Sequence, residues 1–360
     1  MRILALTPTP DRPEAAILAG LSRGGAHVHV VGSPAALQRD LLNESGVRIT
    51  DYVFRSRFDL RGMRLIRSLV RQHEIDLVYA LTNRALSTAV IGLTGLPVKL
   101  AAYRGTVGHL SWFDPSCWLT YLNPRVYMTL CVSQAVEDYM LSKGISQDRL
   151  ALVYKGHDVA WYESPALDRG EFGIPKDAFV VGCTAVMRAV KGVDDLLAAV
   201  SILLEEIPDL HLLLIGSVKD PEIQAHIDGF PRKDRLHLLG FRDDATSLQR
   251  LADVTVMASK SREGLPKSII EAMAQGVPPI VTAVGGMPEL VGHGAAGLMV
   301  EPMNPASLAS GIRTLYDNAH YRQSLGIAAR QRILEAFNIN DSISRVEKIF
   351  SKLCADTQRS

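Results

Sequence analysis

The strongest constraint on this chain is a repeated pattern of short, unbroken apolar runs separated by helix-length stretches. In the first half the runs are 3–6, 27–31, 77–80, 98–103, 127–132 and 150–153; in the second they are 179–186, 210–215, 236–239, 254–258, 279–282 and 297–300. Most are continuous rather than alternating, which is the pattern of strands buried on both faces. Helical periods such as 193–206 lie between them. Alternating strand and helix predicts an α/β chain built on doubly wound parallel sheets. About six strands per half predicts two Rossmann-like domains, a number that 360 residues accommodate at roughly 150 residues per domain. The stretch 156–176 carries Gly, Pro and charge with little periodicity, so the expected division is 1–160 and 161–340. Beyond it, Ile343, Val346, Ile349, Phe350 and Leu353 recur at helical spacing and predict a docking helix over about 341–360.

Composition excludes several classes. Hydrophobic residues at 47% and charged residues at 21% argue against a disordered chain. A net charge of +1 argues against a nucleic-acid partner. That total hides a division: residues 1–160 hold 18 basic and 13 acidic residues, residues 161–360 hold 21 and 25. Cys117, Cys131, Cys183 and Cys354 form neither a C-x-x-C pair nor a zinc spacing, which fits a reduced cytoplasm. Pro8 and Pro10 cut the first apolar run too short for a secretory signal. The uncharged run 85–98 falls short of the ~20 residues that span a bilayer. No G-x-G-x-x-G follows 3–6 or 179–186, which disfavours a dinucleotide oxidoreductase.

The densest chemical signal is 261–275, S-R-E-G-L-P-K-S-I-I-E-A-M-A-Q, directly after the run 254–258. Pro266 suits the first turn of a helix. Glu263 then falls in the preceding loop and Glu271 inside the helix. Backbone N–H groups near 265–268 would form an anion site at the helix N-terminus, on a loop at the carboxyl end of a strand, where doubly wound sheets bind ligands.

Two glutamates separated by seven residues in the frame E-G-L-P-K-S-I-I-E-A-M-A-Q-G-V-P resemble the signature of family-4 retaining glycosyltransferases of GT-B fold. Further segments are similar to that family in the same order: M-R-A-V-K-G-V at 187–193, G-F at 240–241, V-T-A-V-G-G-M-P-E at 281–289 and G-L-M-V-E-P at 297–302. The resemblance is strong over about 150–340 and weak over 1–150. It implies two Rossmann-like domains facing across a cleft, with the C-terminal helix crossing back to the first. It implies a nucleotide-diphosphate sugar as co-substrate and a glycan or glycolipid hydroxyl as acceptor. Envelope polysaccharide, lipopolysaccharide or glycolipid synthesis is the expected setting, on the cytoplasmic side of the membrane. By the same resemblance Glu271 would accept the ribose hydroxyls and Glu263 would hold donor-sugar hydroxyls. Arg188 and Lys191 would neutralise the diphosphate, where leaving-group charge develops. Gly264, Leu265, Pro266, Lys267 and Ser268 would supply the helix-terminus site; Gly216, Gly240 and Phe241 would flank the base. The sequence has no D-x-D, so neither metal nor cofactor is expected.

The family's Gly-rich loop after the first strand is replaced by T-P-T-P-D-R-P-E at 7–14, and its histidine after the fourth-strand region by Arg104 in A-A-Y-R-G-T-V-G-H. Arg104, Gly105 and His109 are the acceptor-side candidates. Those two departures favour an alternative reading, a non-catalytic GT-B protein that binds nucleotide sugar or scaffolds a glycan-assembly complex. Arg57, Arg61, Arg64, Arg67 and Arg71 are spaced 4, 3, 3 and 4 apart and predict one basic helical face. With Trp112, Phe113, Trp118 and Tyr121 in the loop 110–122, they raise docking to an anionic membrane surface as a further expectation.

Overall fold

Parallel strands buried on both faces need helices above and below, and the chain meets that need in two separate units. The computed structural model describes residues 1–163, 165 and 167–355, so the last five residues of the expected docking helix lie outside the described residues. One unit comprises Met1–Gly156 and the chain from Phe337 on; the other is His157–Ala336.

The first unit's parallel sheet contains β1 (Arg2–Leu6), β2 (His27–Gly32), β3 (Arg48–Asp51), β4 (Leu77–Ala80), β5 (Lys99–Arg104), β6 (Val126–Cys131) and β7 (Leu150–Leu152), in the order 3-2-1-4-5-6-7. The short strand β3, R-I-T-D, has no apolar run. It lies at the sheet edge with no fully buried residue, so the both-faces-buried criterion passes over it. The C-terminal helix Ile339–Ala355 packs on the helix Arg12–Arg23, where Gly20 leaves room for Ile343. Phe350 is fully buried, edge-on to Tyr79 at 5.1 Å. Ser342 Oγ accepts the Gly156 N–H at 3.0 Å and donates to the Tyr154 carbonyl at 2.7 Å, which fastens the returning segment.

The second unit's sheet contains β8 (Phe179–Thr184), β9 (Leu210–Ile215), β10 (Leu236–Gly240), β11 (Val254–Met257), β12 (Pro279–Thr282) and β13 (Leu298–Val300), in the order 10-9-8-11-12-13. Strand β9 shows why its run is unbroken. Leu212 and Leu214 face one core with Leu196, Val200 and Ile312; Leu213 and Ile215 face another with Leu248, Leu251 and Ala272. Each fully buried leucine contributes about 1.5–3 kcal/mol. Between β8 and β11 the strand order reverses direction, and the carboxyl end of such a switch point is where doubly wound sheets bind ligands.

Candidate functional site

The loop after β8 is held by its two ends. Met187 is fully buried, and its N–H donates to the Ser217 carbonyl of the next loop at 3.0 Å. Gly192 ends the loop in the left-handed region at φ +64, with its α-carbon pressed against the Ala258 carbonyl, so a side chain there would collide. Between these anchors Arg188 is extended and exposed, and among the described residues its guanidinium makes no ion pair. Lys191 turns the other way, to Glu263.

Glu263 lies in the loop after β11 and is buried. Its Oε1 accepts from the Ser259 hydroxyl at 2.6 Å and pairs with the Lys191 ammonium. Ser259, fully buried, is itself fixed by the Thr282 hydroxyl, which donates to its carbonyl at 2.6 Å. The Gly285–Gly286 turn supports the same loop from β12. Gly285 sits at φ +56 with no space for a Cβ against the Glu263 carbonyl, and the Gly286 N–H reaches that carbonyl at 3.4 Å. Lys260 ties the loop to the β8 side: its N–H bonds the Val190 carbonyl at 2.9 Å, and its ammonium meets Asp194 at 2.5 Å and Asp195 at 3.6 Å. Burial opposes the charge on Lys260, but the two aspartates outweigh it and hold its pKa above the ordinary lysine value.

The helix Lys267–Ala274 begins one residue later than the first-turn placement of Pro266 predicts; Pro266 is its N-cap and no side chain caps it. The N–H groups of Ile269 and Ile270 both return to the Pro266 carbonyl, at 3.1 and 3.2 Å, so those of Lys267 and Ser268 precede the helix's own bonding. Gly264 and Pro266 are buried and Leu265 partly so. Glu271 is buried on the inner face, with the Lys267 ammonium 3.2 Å from its carboxylate. Gly216 accepts no side chain, because a Cβ would strike the Ala185 carbonyl; its N–H bonds the Gly240 carbonyl at 2.7 Å. Phe241 follows in the open, three-quarters exposed. Cations, an uncapped helix terminus, a buried carboxylate pair and an exposed aromatic thus share the carboxyl edge of one sheet, an arrangement suited to a diphosphate flanked by polyhydroxyl and aromatic groups.

The acceptor-side candidates are placed differently. Arg104 ends β5 but turns inward: it is buried, donates to the Thr106 carbonyl at 3.0 Å and to the Gly108 carbonyl, and lies over the Tyr121 ring at 4.6 Å. Its guanidinium shapes its own loop. Gly105 packs against the Tyr103 ring, and His109 is exposed at φ +60. In the first-strand loop, Asp11 caps the helix Arg12–Arg23 and Glu14 completes the capping box. Lys155 reaches Asp11 at 2.9 Å and Glu14 at 2.8 Å, so this helix terminus is filled by the chain's own carboxylates. The arginine face also changes. The helix Leu60–Gln72 starts after Asp59, which leaves Arg57 outside it, and Arg67 is spent on the Gly92 and Thr94 carbonyls at 2.8 and 2.7 Å. Arg61, Arg64 and Arg71 remain exposed.

Among the described residues no group of three or more His, Cys, Asp and Glu is placed to hold a metal ion. Nor is any helix among them long and apolar enough to cross a membrane.

Residues 166–332 match the family described as Glycosyl transferases group 1, and residues 15–161 match Glycosyltransferase Family 4. The chain belongs to the family-4 glycosyltransferases. This glycosyltransferase is 30% identical over 189 residues to N-acetyl-alpha-D-glucosaminyl L-malate synthase of Bacillus anthracis, covering 52% of this chain and 49% of that protein. It is 30% identical over 208 residues to D-inositol 3-phosphate glycosyltransferase of Corynebacterium glutamicum, covering 54% and 49%. The matches span about half the length of these curated relatives. Its fold is similar to that of Anabaena HepE, solved in complex with UDP, at a TM-score of 0.82 and 22% identity over 98% of this chain and 100% of the other. The two parallel-sheet units are therefore those of a GT-B glycosyltransferase.

Within the site of this glycosyltransferase, motif reading missed Ser259, Thr282 and Lys260. Their only sequence signal is polarity at the ends of apolar runs, which carries no information about a partner.

Proposed function

We propose that this chain is a retaining glycosyltransferase that moves a sugar from a nucleoside-diphosphate sugar to a hydroxyl acceptor, without a bound metal or cofactor. Envelope polysaccharide, lipopolysaccharide or glycolipid synthesis is the proposed setting, on the cytoplasmic side of the membrane. The reading is carried by the Lys191–Glu263–Ser259 constellation beside an uncapped helix terminus that also carries Glu271. Arg188 and Lys191 would meet the diphosphate, the N–H groups of Lys267 and Ser268 would add to them, and Glu271 would take the ribose hydroxyls. Gly264, Leu265 and Pro266 would shape the approach to the phosphates, and Gly216, Gly240 and Phe241 would border the base. The anomeric carbon–phosphate oxygen bond breaks as the acceptor oxygen bonds on the same face, and the acceptor proton passes to the leaving phosphate. Cations aimed at that oxygen stabilise its developing charge. The UDP complex of HepE supports a uridine nucleotide as the first donor to try.

The test is a thermal-shift panel of nucleoside diphosphates and their sugars, followed by NMR of the transferred anomer. A ligand at ~100 times its Kd adds about 2.7 kcal/mol of stability. Stabilisation by no nucleotide, or a product of inverted configuration, refutes the reading. The filled terminus of the helix Arg12–Arg23 favours the alternative of a non-catalytic nucleotide-sugar binder. Donor binding without transfer or donor hydrolysis would establish that alternative.

A further inference from the structure

The first unit has a cleft of about 580 Å³ at the amino edge of its sheet, where β1, β2 and β3 begin with Arg2, His27 and Arg48. His29 and His73 complete a lining of two guanidinium and three imidazole side chains. Among the described residues no carboxylate lines it. Glu74 is taken up by the Arg2 guanidinium at 2.5 Å, and Asp76 accepts the Arg2 backbone N–H at 2.7 Å. This edge is opposite the one that carries the first-strand loop and the loop of Arg104.

The alternation of β2 sets the rings. His27 and His29 flank buried Val28, so both leave one face of the strand, and the ladder pairs His29 with Arg48 on β3. His73, which ends the helix Leu60–Gln72, brings its ring edge-on to that of His29 at 5.2 Å. His29 is only 5% exposed. Its Nε2 lies 2.8 Å from the Thr50 hydroxyl, while its Nδ1 is buried with no hydrogen-bond partner among the described residues. A buried polar atom of this kind is costly until a partner reaches it. Burial lowers the His29 pKa to about 4, and His73 and Arg48 push it the same way, so the charges acting on this neutral ring are cationic. The exposed Arg48 makes no ion pair among the described residues; its guanidinium lies 3.3 Å from His73 Nδ1 and 3.5 Å from Nε2. A neutral imidazole offers a lone pair on only one ring nitrogen, so Arg48 keeps donors that the histidine does not satisfy.

We propose that Arg48, His73, His27 and His29 form a binding site for a phosphate group, either the free ion or a small phosphate ester. Arg48 turns its planar fork from the His73 ring to the phosphate oxygens, and the rings of His27 and His73 donate to the same group. The Thr50 hydroxyl donates to His29 Nε2, which leaves the ring proton on Nδ1 for the anion. A cleft of this size also has room for the organic part of an ester. The inference concerns the first unit alone and stands whether or not the donor reading does.

Titration of inorganic phosphate, of glycerol phosphate and, as a control, of glycerol at constant ionic strength tests it, with the histidine ring signals followed by NMR. The rings of His29 and His73 should shift in one saturable step with both phosphates and stay in place with glycerol. Tighter binding of the ester assigns the site to a phosphorylated metabolite, and equal affinity assigns it to the free ion. Arg48→Gln should weaken binding by about tenfold or more with the melting temperature unchanged, because the side chain is exposed. Lys191→Met, on the second unit, should bind phosphate at these rings as the wild type does. Shifts that do not saturate, wild-type affinity in Arg48→Gln, or loss of the shifts in Lys191→Met would overturn the proposal.

Discussion

Replacing Glu263 by Gln should make the glycosyltransferase bind UDP more tightly while it transfers sugar more slowly. In the free protein Lys191 is paired with Glu263, so a diphosphate must share or displace that carboxylate to reach the ammonium. Two unit charges about 4 Å apart interact by ~4 kcal/mol at an effective dielectric near 20. The Lys191 side chain is 28% exposed and that of Glu263 10%, so solvent and side-chain ordering reduce the net coupling. A value of about 1–2 kcal/mol remains, equivalent to about a 5- to 30-fold lower Kd for UDP. Gln keeps an oxygen for the Ser259 hydroxyl, so the loop should hold its position. Calorimetric titration of UDP into wild type and variant reads the effect, and the gain should shrink at high salt. Transfer from the UDP-sugar should fall by about a hundredfold if Glu263 also positions the sugar. Lys191→Met should weaken UDP, and adding Glu263→Gln to it should restore little, because the two residues act through one contact. Unchanged or weaker UDP binding by Glu263→Gln would refute the competition argument.

Gly285→Ala forces a left-handed residue and pushes a methyl into the Glu263 carbonyl, so it should cost about 1–3 kcal/mol and depress transfer well beyond its effect on melting; equal activity in the folded variant contradicts the clamp. Lys155→Met strands Asp11 and Glu14 in a partly buried site. Burial already raises the Glu14 pKa against the pull of Lys155. A loss of about 3–4 kcal/mol is expected, with substantial rescue by adding Glu14→Gln, as read by chemical denaturation. Acid should destabilise the first unit at a histidine. Burial, together with His73 and Arg48, lowers His29 to about 4, so the native state binds fewer protons than the unfolded chain below its ordinary value near 6.5. Its stability contribution is complete above ~6.5 and declines as pH falls toward 4, by about 2–3 kcal/mol in all. The slope should be lost in His29→Asn; a slope that persists assigns it to other groups.

The sequence alone determined the architecture of each unit. A strand covered on both faces must be apolar without interruption, and a helix must repeat near 3.6, so local spacing is enough to separate the two. The same logic missed β3, whose R-I-T-D segment is a solvated edge strand, and it carried the arginine face back to Arg57, two residues before the Asp59 N-cap. The E-x7-E frame was legible because its residues lie within one loop and one helix. Tertiary structure alone decided which charges are spent internally. Lys191 meets a carboxylate 72 residues away, Arg67 meets carbonyls 25 and 27 residues away, and Arg104 closes on its own loop. Sequence spacing sets the face a side chain occupies, but the partner of a charge depends on which distant backbone the fold brings within about 3 Å, and that is fixed only when the sheets assemble.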